Sequence, residues 1–111
     1  MESHASLKFA RVSARKARLV ADLVRGRAVP DAIRTLTFLD QKSAPLIRKL
    51  VESAIANAEQ KSEDVDVDKL VIRVITVDSG PSLRRFRPRA QGRATKVLKK
   101  TSHITVQLAN E

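Results

Sequence analysis

The sequence contains no cysteine, no tryptophan and no tyrosine, and only three phenylalanines among 111 residues. Without thiols the chain forms no disulfide, offers no thiolate nucleophile and builds no cysteine zinc site, which fits a reducing compartment. An aromatic content of 3% leaves too few rings for an aromatic base-stacking platform over most of the surface. No apolar run approaches the ~18 residues of a membrane span, and the first six residues lack the basic and apolar segments of a secretory leader, so a cytosolic location is expected. Enzyme chemistry lacks its parts too. His4, His103 and the scattered carboxylates have no nucleophile at a recognisable spacing, and the glycines form no phosphate loop, so no catalytic residue, metal or cofactor is expected. "DVDVDK", residues 64 to 69, begins like a calcium loop but puts Lys69 where glycine is required and Ile75 where glutamate is required, and reads as a polar turn into a strand.

What the sequence has in excess is positive charge. Twenty-two Lys and Arg stand against twelve Asp and Glu, a net charge of +10 and a pI of about 10.9, which calls for a polyanionic partner, nucleic acid or an anionic membrane surface. The charge is uneven: residues 1–27 carry a net +5, residues 28–78 a net −2 and residues 79–110 a net +8. Two basic ends therefore flank a nearly balanced middle, where a core can be built. A hydrophobic fraction of 42% is ordinary for a globular chain, and the length suits one domain, residues 1–111.

The middle is helical by its spacing. Leu46, Ile47, Leu50, Val51, Ala54, Ile55 and Ala58 recur at helical intervals after Ser43, a candidate N-cap, with Pro45 in the first turn. Arg48 and Glu52, four apart, form a solvent-side pair. A shorter helix is expected from Pro30 to about Phe38, with Ile33 and Leu36 inward and Asp31 near its amino end. The first basic block predicts a helix capped by Ser13 and stopped by Gly26. Its expected buried stripe is Leu19, Val20, Leu23 and Val24, and Arg15, Arg18 and Arg25 lie opposite with Asp22 among them. That cationic face is read equally well as a solvated surface and as a nucleic-acid contact. "KLVIRVITV" from Lys69 and "SHITVQLA" from Ser102 alternate and are rich in β-branched residues, predicting antiparallel partners. Ile104, Val106 and Leu108 supply one buried face, and "SLKFARV", with Leu7 and Phe9 alternating, is a third strand. His103 is read as a phosphate or hydroxyl contact or a satisfied edge residue rather than a metal ligand. The fold class is α+β: three helices packed on a small three-stranded antiparallel sheet.

"SLRRFRPRAQGRATKVLKK", residues 82–100, is the anomaly, with eight basic side chains and no acidic one. Burying five arginines without counter-charges costs several kcal/mol each. The stretch must therefore project from the domain as an extended hairpin arm, residues 80–97, that would repel itself in water and suits a surrounding polyanion. Ala90, Gly92 and Ala94 between the arginines permit close packing against a surface. A membrane-bound reading would want a basic amphipathic helix with apolar anchors, whereas the arm has one aromatic and two prolines.

"SARKARLVADLVRG" (13–26), "ESAIANAE" (52–59), "GPSLRRFRPRAQGRA" (80–94) and "KKTSHITVQLA" (99–109) together resemble the bacterial large-subunit ribosomal protein L twenty-two family, in unbroken order from about Phe9 to Leu108. The resemblance implies a small α+β domain bound to large-subunit (23S) ribosomal RNA near the outer opening of the peptide exit tunnel, with a long β-hairpin lining the tunnel wall. It implies RNA contacts by Lys8, Arg11, Ser13, Arg15, Lys16, Arg18, Arg25 and Arg27 on the globular part. On the arm and its return it implies contacts by Arg84, Arg85, Arg87, Arg89, Arg93, Lys96, Lys99, Lys100, Thr101, Ser102 and His103. The tunnel-lining tip would comprise Phe86, Pro88, Arg89, Ala90, Gln91, Gly92, Arg93 and Ala94. The implied partners are ribosomal RNA, neighbouring large-subunit proteins and the nascent polypeptide, with no membrane and no homo-oligomer. The chain departs from the family pattern at Ala14, where many relatives have proline, and at Ser79, where an acidic residue often precedes the Gly-Pro turn.

Overall fold

The computed structural model describes residues 2–61, 65–81, 83–88 and 94–110, with the arm strands within 83–99 described as backbone alone. The chain runs β1 (Glu2–Ala10), α1 (Ala14–Val24), α2 (Val29–Phe38), α3 (Ser43–Lys61), a short 3₁₀ turn (Val67–Lys69), β2 (Leu70–Ser79), β3 (Leu83–Pro88), β4 (Ala94–Lys99) and β5 (Ser102–Asn110). The expected α+β class is observed, three helices with an antiparallel sheet of order β1-β5-β2.

β5 lies between its partners, and its inward row meets theirs in register. Ile104 lies opposite Leu7 and Val77, Val106 opposite Ala5 and Ile75, and Leu108 opposite Ser3 and Ile72. Ile104, Val106 and Leu108 have no exposed surface, nor do Ile47, Val51, Ala54 and Ala58 of α3, whose apolar stripe follows the expected spacing and covers the sheet. Leu46 and Ile55 pack half-buried at its margin. Strict alternation along β2 would have sent Val74 inward. A bulge between Ile72 and Val74 instead leaves Arg73 and Val74 outside and returns Ile75 to the core. β1 starts at Glu2, earlier than expected, and its ladder is irregular between Leu7 and Ala10, where Phe9 takes a left-handed φ of 59° and is exposed.

Two helix starts differ from expectation. Ser13 holds the N-cap position of α1, but its hydroxyl makes no capping bond. Ser43 is the first residue of α3 rather than its cap and is buried, because a tight turn from Gln41 to Ala44 opens the helix. Gly26, with φ of 80°, ends α1 as expected. α2 begins at Val29, with Leu36 buried and Ile33 half-buried. The Arg48–Glu52 pair is present at 3.9 Å, too long for a hydrogen bond. In the turn before β2, the Asp66 carboxylate accepts the Asp68 N–H; Asp64 lies outside the described residues.

The buried stripe of α1 is rotated from the one expected. Ala17, Val20, Ala21 and Val24 are fully buried, whereas Leu19 and Leu23 are 59% and 43% exposed. Small residues bring the helix close to β2, and that proximity has a use. β2 is an edge strand, and α1 satisfies its outer backbone groups. Arg18 Nε donates to Val77 O at 2.9 Å, an Arg25 guanidinium N–H donates to Ile75 O at 2.8 Å, Gly26 N–H donates to Ile72 O, and Ile72 N–H donates to Arg27 O.

β3 and β4 form a separate two-stranded antiparallel ladder from Leu83 opposite Lys99 to Pro88 opposite Ala94. The returning strand β4 runs through Lys99. The Cα radius of gyration, 17.1 Å, exceeds the about 13 Å of a compact chain of this length, as a projecting arm requires. At its base Gly80 N–H donates to Thr101 O, and the Thr101 hydroxyl donates to Pro81 O. A Cβ on Gly80 would sit 2.6 Å from Thr101 Oγ1, so only glycine fits this approach. His103 is on the central strand, not an edge. Its Nδ1 accepts the Phe9 N–H at 3.1 Å, and its ring meets Phe9 edge-on at 4.9 Å.

Thr101 and Ser102 are both buried, and the Ser102 hydroxyl donates to Val12 O at 2.7 Å. Both hydroxyls are engaged inside the domain. Ser102→Ala should lower unfolding free energy by about 1–3 kcal/mol, because it strands the Val12 carbonyl, and should leave RNA affinity of the folded protein unchanged. Chemical denaturation alongside RNA titration checks both halves; unchanged stability with weakened RNA binding would place Ser102 at the interface.

Candidate nucleic-acid interface

The burial of Ala14 and Ala17 on α1 dictates where its cations point. With those positions packed inward, Arg15, Lys16 and Leu19 face solvent at the amino end of the helix. Arg11 approaches the same end from the β1–α1 connection and Lys100 from the base of the arm; both are exposed, as is Lys8 on β1.

Two open clefts flank Ser13. The larger, about 600 Å³, is lined by Arg11, Val12, Ser13, Lys16, Leu19, Gln41, Lys42, Ser43 and Lys100. The smaller, about 240 Å³, is lined by Ser13, Ala14, Arg15, Arg18, Ser79, Gly80 and Lys100. Among the described residues, no carboxylate lines either. The charged residues that line the second, Arg15, Arg18 and Lys100, are all basic, and Ser79 lines it beside them.

The rest of the surface charge is arranged differently. Arg25 pairs with Asp22, Arg34 with Asp31, Arg48 with Glu52 and Arg73 with Glu2. At the end of the sheet where β1 begins, Gln107 also donates to Glu2, Lys61 donates to Glu2 O and Asn57 to His4 O, a self-satisfied polar patch. Among the described residues, none of Lys8, Arg11, Arg15, Lys16, Lys42 or Lys100 is paired with a carboxylate. Such surface pairs contribute only about 0–1 kcal/mol each, and they are spread over α1, α2, α3 and the sheet, with none of their members lining either cleft.

The residues read from sequence thus separate into groups. Arg11, Ser13, Arg15, Lys16 and Lys100 come together around the clefts, with Lys8 on the adjoining strand. Arg18 belongs both to the small cleft and to the edge of β2. Arg25 and Arg27 lie at the far end of α1, Arg25 tied to Asp22 and to β2, and Arg27 3.5 Å from the Thr35 hydroxyl. The side chains of Arg84, Arg85, Phe86, Arg87, Pro88, Ala94, Lys96 and Lys99 lie outside the described residues, as do Arg89, Ala90, Gln91, Gly92 and Arg93 entirely. Lys42 and Gln41 had no signal in the sequence, since they lie in the charge-balanced middle and only the α2–α3 connection carries them to α1.

The surface has the makings of a binding face rather than a reaction centre. No group of three or more metal-capable side chains converges among the described residues, and no described helix is long and apolar enough to cross a membrane.

Comparison with known proteins agrees with this. Residues 5–109 match the family described as Ribosomal protein L22p/L17e. The chain is 64% identical over 108 residues to the large ribosomal subunit protein uL22 of Bdellovibrio bacteriovorus, covering 97% of each chain. It is 57% identical over 111 residues to that of Geobacter metallireducens, covering 100% of each, and 56% identical over 108 residues to that of Desulfotalea psychrophila, covering 97% of each. With a family match over nearly its whole length and relatives this similar, the chain belongs to the ribosomal protein L22p/L17e family, a family of structural ribosomal proteins and not of enzymes.

Proposed function

We propose that the chain is a structural constituent of the large ribosomal subunit in the bacterial cytoplasm, that it binds 23S ribosomal RNA through the cleft-bearing face and supports subunit assembly. The observation that carries this reading is the segregation of charge. Cations from the β1–α1 connection, α1, the α2–α3 connection and the arm base converge on two clefts that, among the described residues, no carboxylate lines, whereas Arg73 at the opposite end of the sheet is paired with Glu2. Phosphate oxygens are the natural complement of such a face. The arm continues it with seven basic and no acidic residues over 82–99. In this reading the arm runs through RNA and its tip lines the nascent-peptide exit tunnel, beside neighbouring large-subunit proteins. Arginines there face RNA, and Ala90, Gly92 and Ala94 keep the peptide side low.

If five to eight of these cations displace counterions, log affinity for a 23S fragment should fall with log salt at a slope of about −4 to −7. Arg15→Ala or Lys16→Ala should each reduce that slope by about one without altering stability, as expected of single phosphate contacts. Titration across a salt series measures both, and near-flat dependence would refute phosphate contact. At the tip, Gly92→Phe and Ala90→Phe should leave assembly nearly normal while changing the stalling of particular nascent peptides and the response to tunnel-binding antibiotics. Arg84→Ala and Arg89→Ala should act by releasing the arm from RNA. Ribosome profiling with subunit assembly followed in parallel separates these effects; assembly defects with unchanged stalling would make the tip an RNA anchor only.

A further inference from the structure

The larger cleft is built for more than phosphate. Four cations ring it, Arg11, Lys16, Lys42 and Lys100, each from a different segment of the chain, and its wall is apolar, formed by Val12 and Leu19. Leu19 is 59% exposed on a helix whose other outward positions there are charged, an expense of solvation that a purely electrostatic contact does not require. At about 600 Å³ the cleft falls within the range of sites that enclose a small organic molecule, far larger than one phosphate group needs. A regular RNA duplex presents a convex phosphate backbone and keeps its bases stacked inside, so it could touch the rim cations but not fill the cleft.

We propose that this cleft receives a single unstacked nucleotide of the RNA, its base laid against Leu19 and Val12 and the methylene stems of the lysines, and its flanking phosphates held by Arg11, Lys16, Lys42 and Lys100. The proposal rests on the RNA-binding reading above and adds the class of nucleotide recognised. Among the described residues no aromatic ring lines the cleft, so recognition is by fit and apolar contact rather than ring stacking, and it discriminates an extruded base from a paired one more than one base from another.

The test uses the full chain and two RNA hairpins identical except for one unpaired uridine in the stem, compared by fluorescence anisotropy at fixed salt. The bulged hairpin should bind at least about fivefold more tightly. Leu19→Ser, which removes apolar surface without changing charge at a position already exposed, should abolish that preference, bringing the two affinities together, while leaving cooperative unfolding unchanged. Lys42→Gln should weaken binding of the bulged hairpin more than of the paired one. Equal binding of the two hairpins, with steep salt dependence retained, overturns the nucleotide cleft and leaves the RNA-binding reading standing. A preference that survives Leu19→Ser places the bulge elsewhere and also overturns it. Failure to bind either hairpin or 23S fragments, or displacement of RNA by polyglutamate at equal charge concentration, overturns both readings.

Discussion

β5 is hydrogen-bonded on both sides, and the burial of Ile104, Val106 and Leu108 between α3 and the two flanking strands holds β1 and β2 in register. The same strand begins immediately after the arm returns. Its first residues, Ser102 and His103, fasten the β1–α1 region through Val12 O and Phe9 N–H, and Thr101 just before it fastens the outgoing chain through Pro81 and Gly80. The domain core and the seating of the arm are therefore consequences of one pairing. A change that loosened β5 would disturb the orientation of the cationic face as well as the stability of the sheet.

The positive charge is managed around that core rather than within it. α1 lies on the edge of β2 through alanines and valines, which lets Arg18 and Arg25 reach edge carbonyls with their guanidinium groups. Those two arginines close an edge that would otherwise offer itself to another strand. Arg15 and Lys16, a turn earlier, have no such duty and remain available. One basic helix thus performs two tasks, divided along its length by distance from the edge carbonyls.

Much of this was legible in the sequence because burial leaves a periodic trace. The stripe from Ile47 to Ala58 and the row Ile104, Val106, Leu108 each identify one face, and the +8 of residues 79–110 required a segment outside the core. What was not legible depends on which groups meet in space. Leu19 and Leu23 outrank Ala17 and Ala21 in hydrophobicity, yet close approach to β2 favours the smaller pair. The bulge in β2 breaks an alternation that looks regular on paper. Thr101 and Ser102, next to Lys99 and Lys100, read as part of a basic binding string, but their hydroxyls turn inward. Lys42 has no local signal, since its cleft is assembled by three connections distant in sequence.

The central claim is that folding resides in the charge-balanced core while the arm serves binding alone. It is tested most directly by replacing residues 82–99 with an Asn-Gly turn between Pro81 and Lys100 and recording thermal unfolding of the shortened chain. The account predicts one cooperative transition with Tm equal to or above that of the intact protein, since removing the arm relieves like-charge repulsion and removes none of the described core. A broad or non-cooperative transition would show that the arm is part of what holds the domain together, and would contradict it.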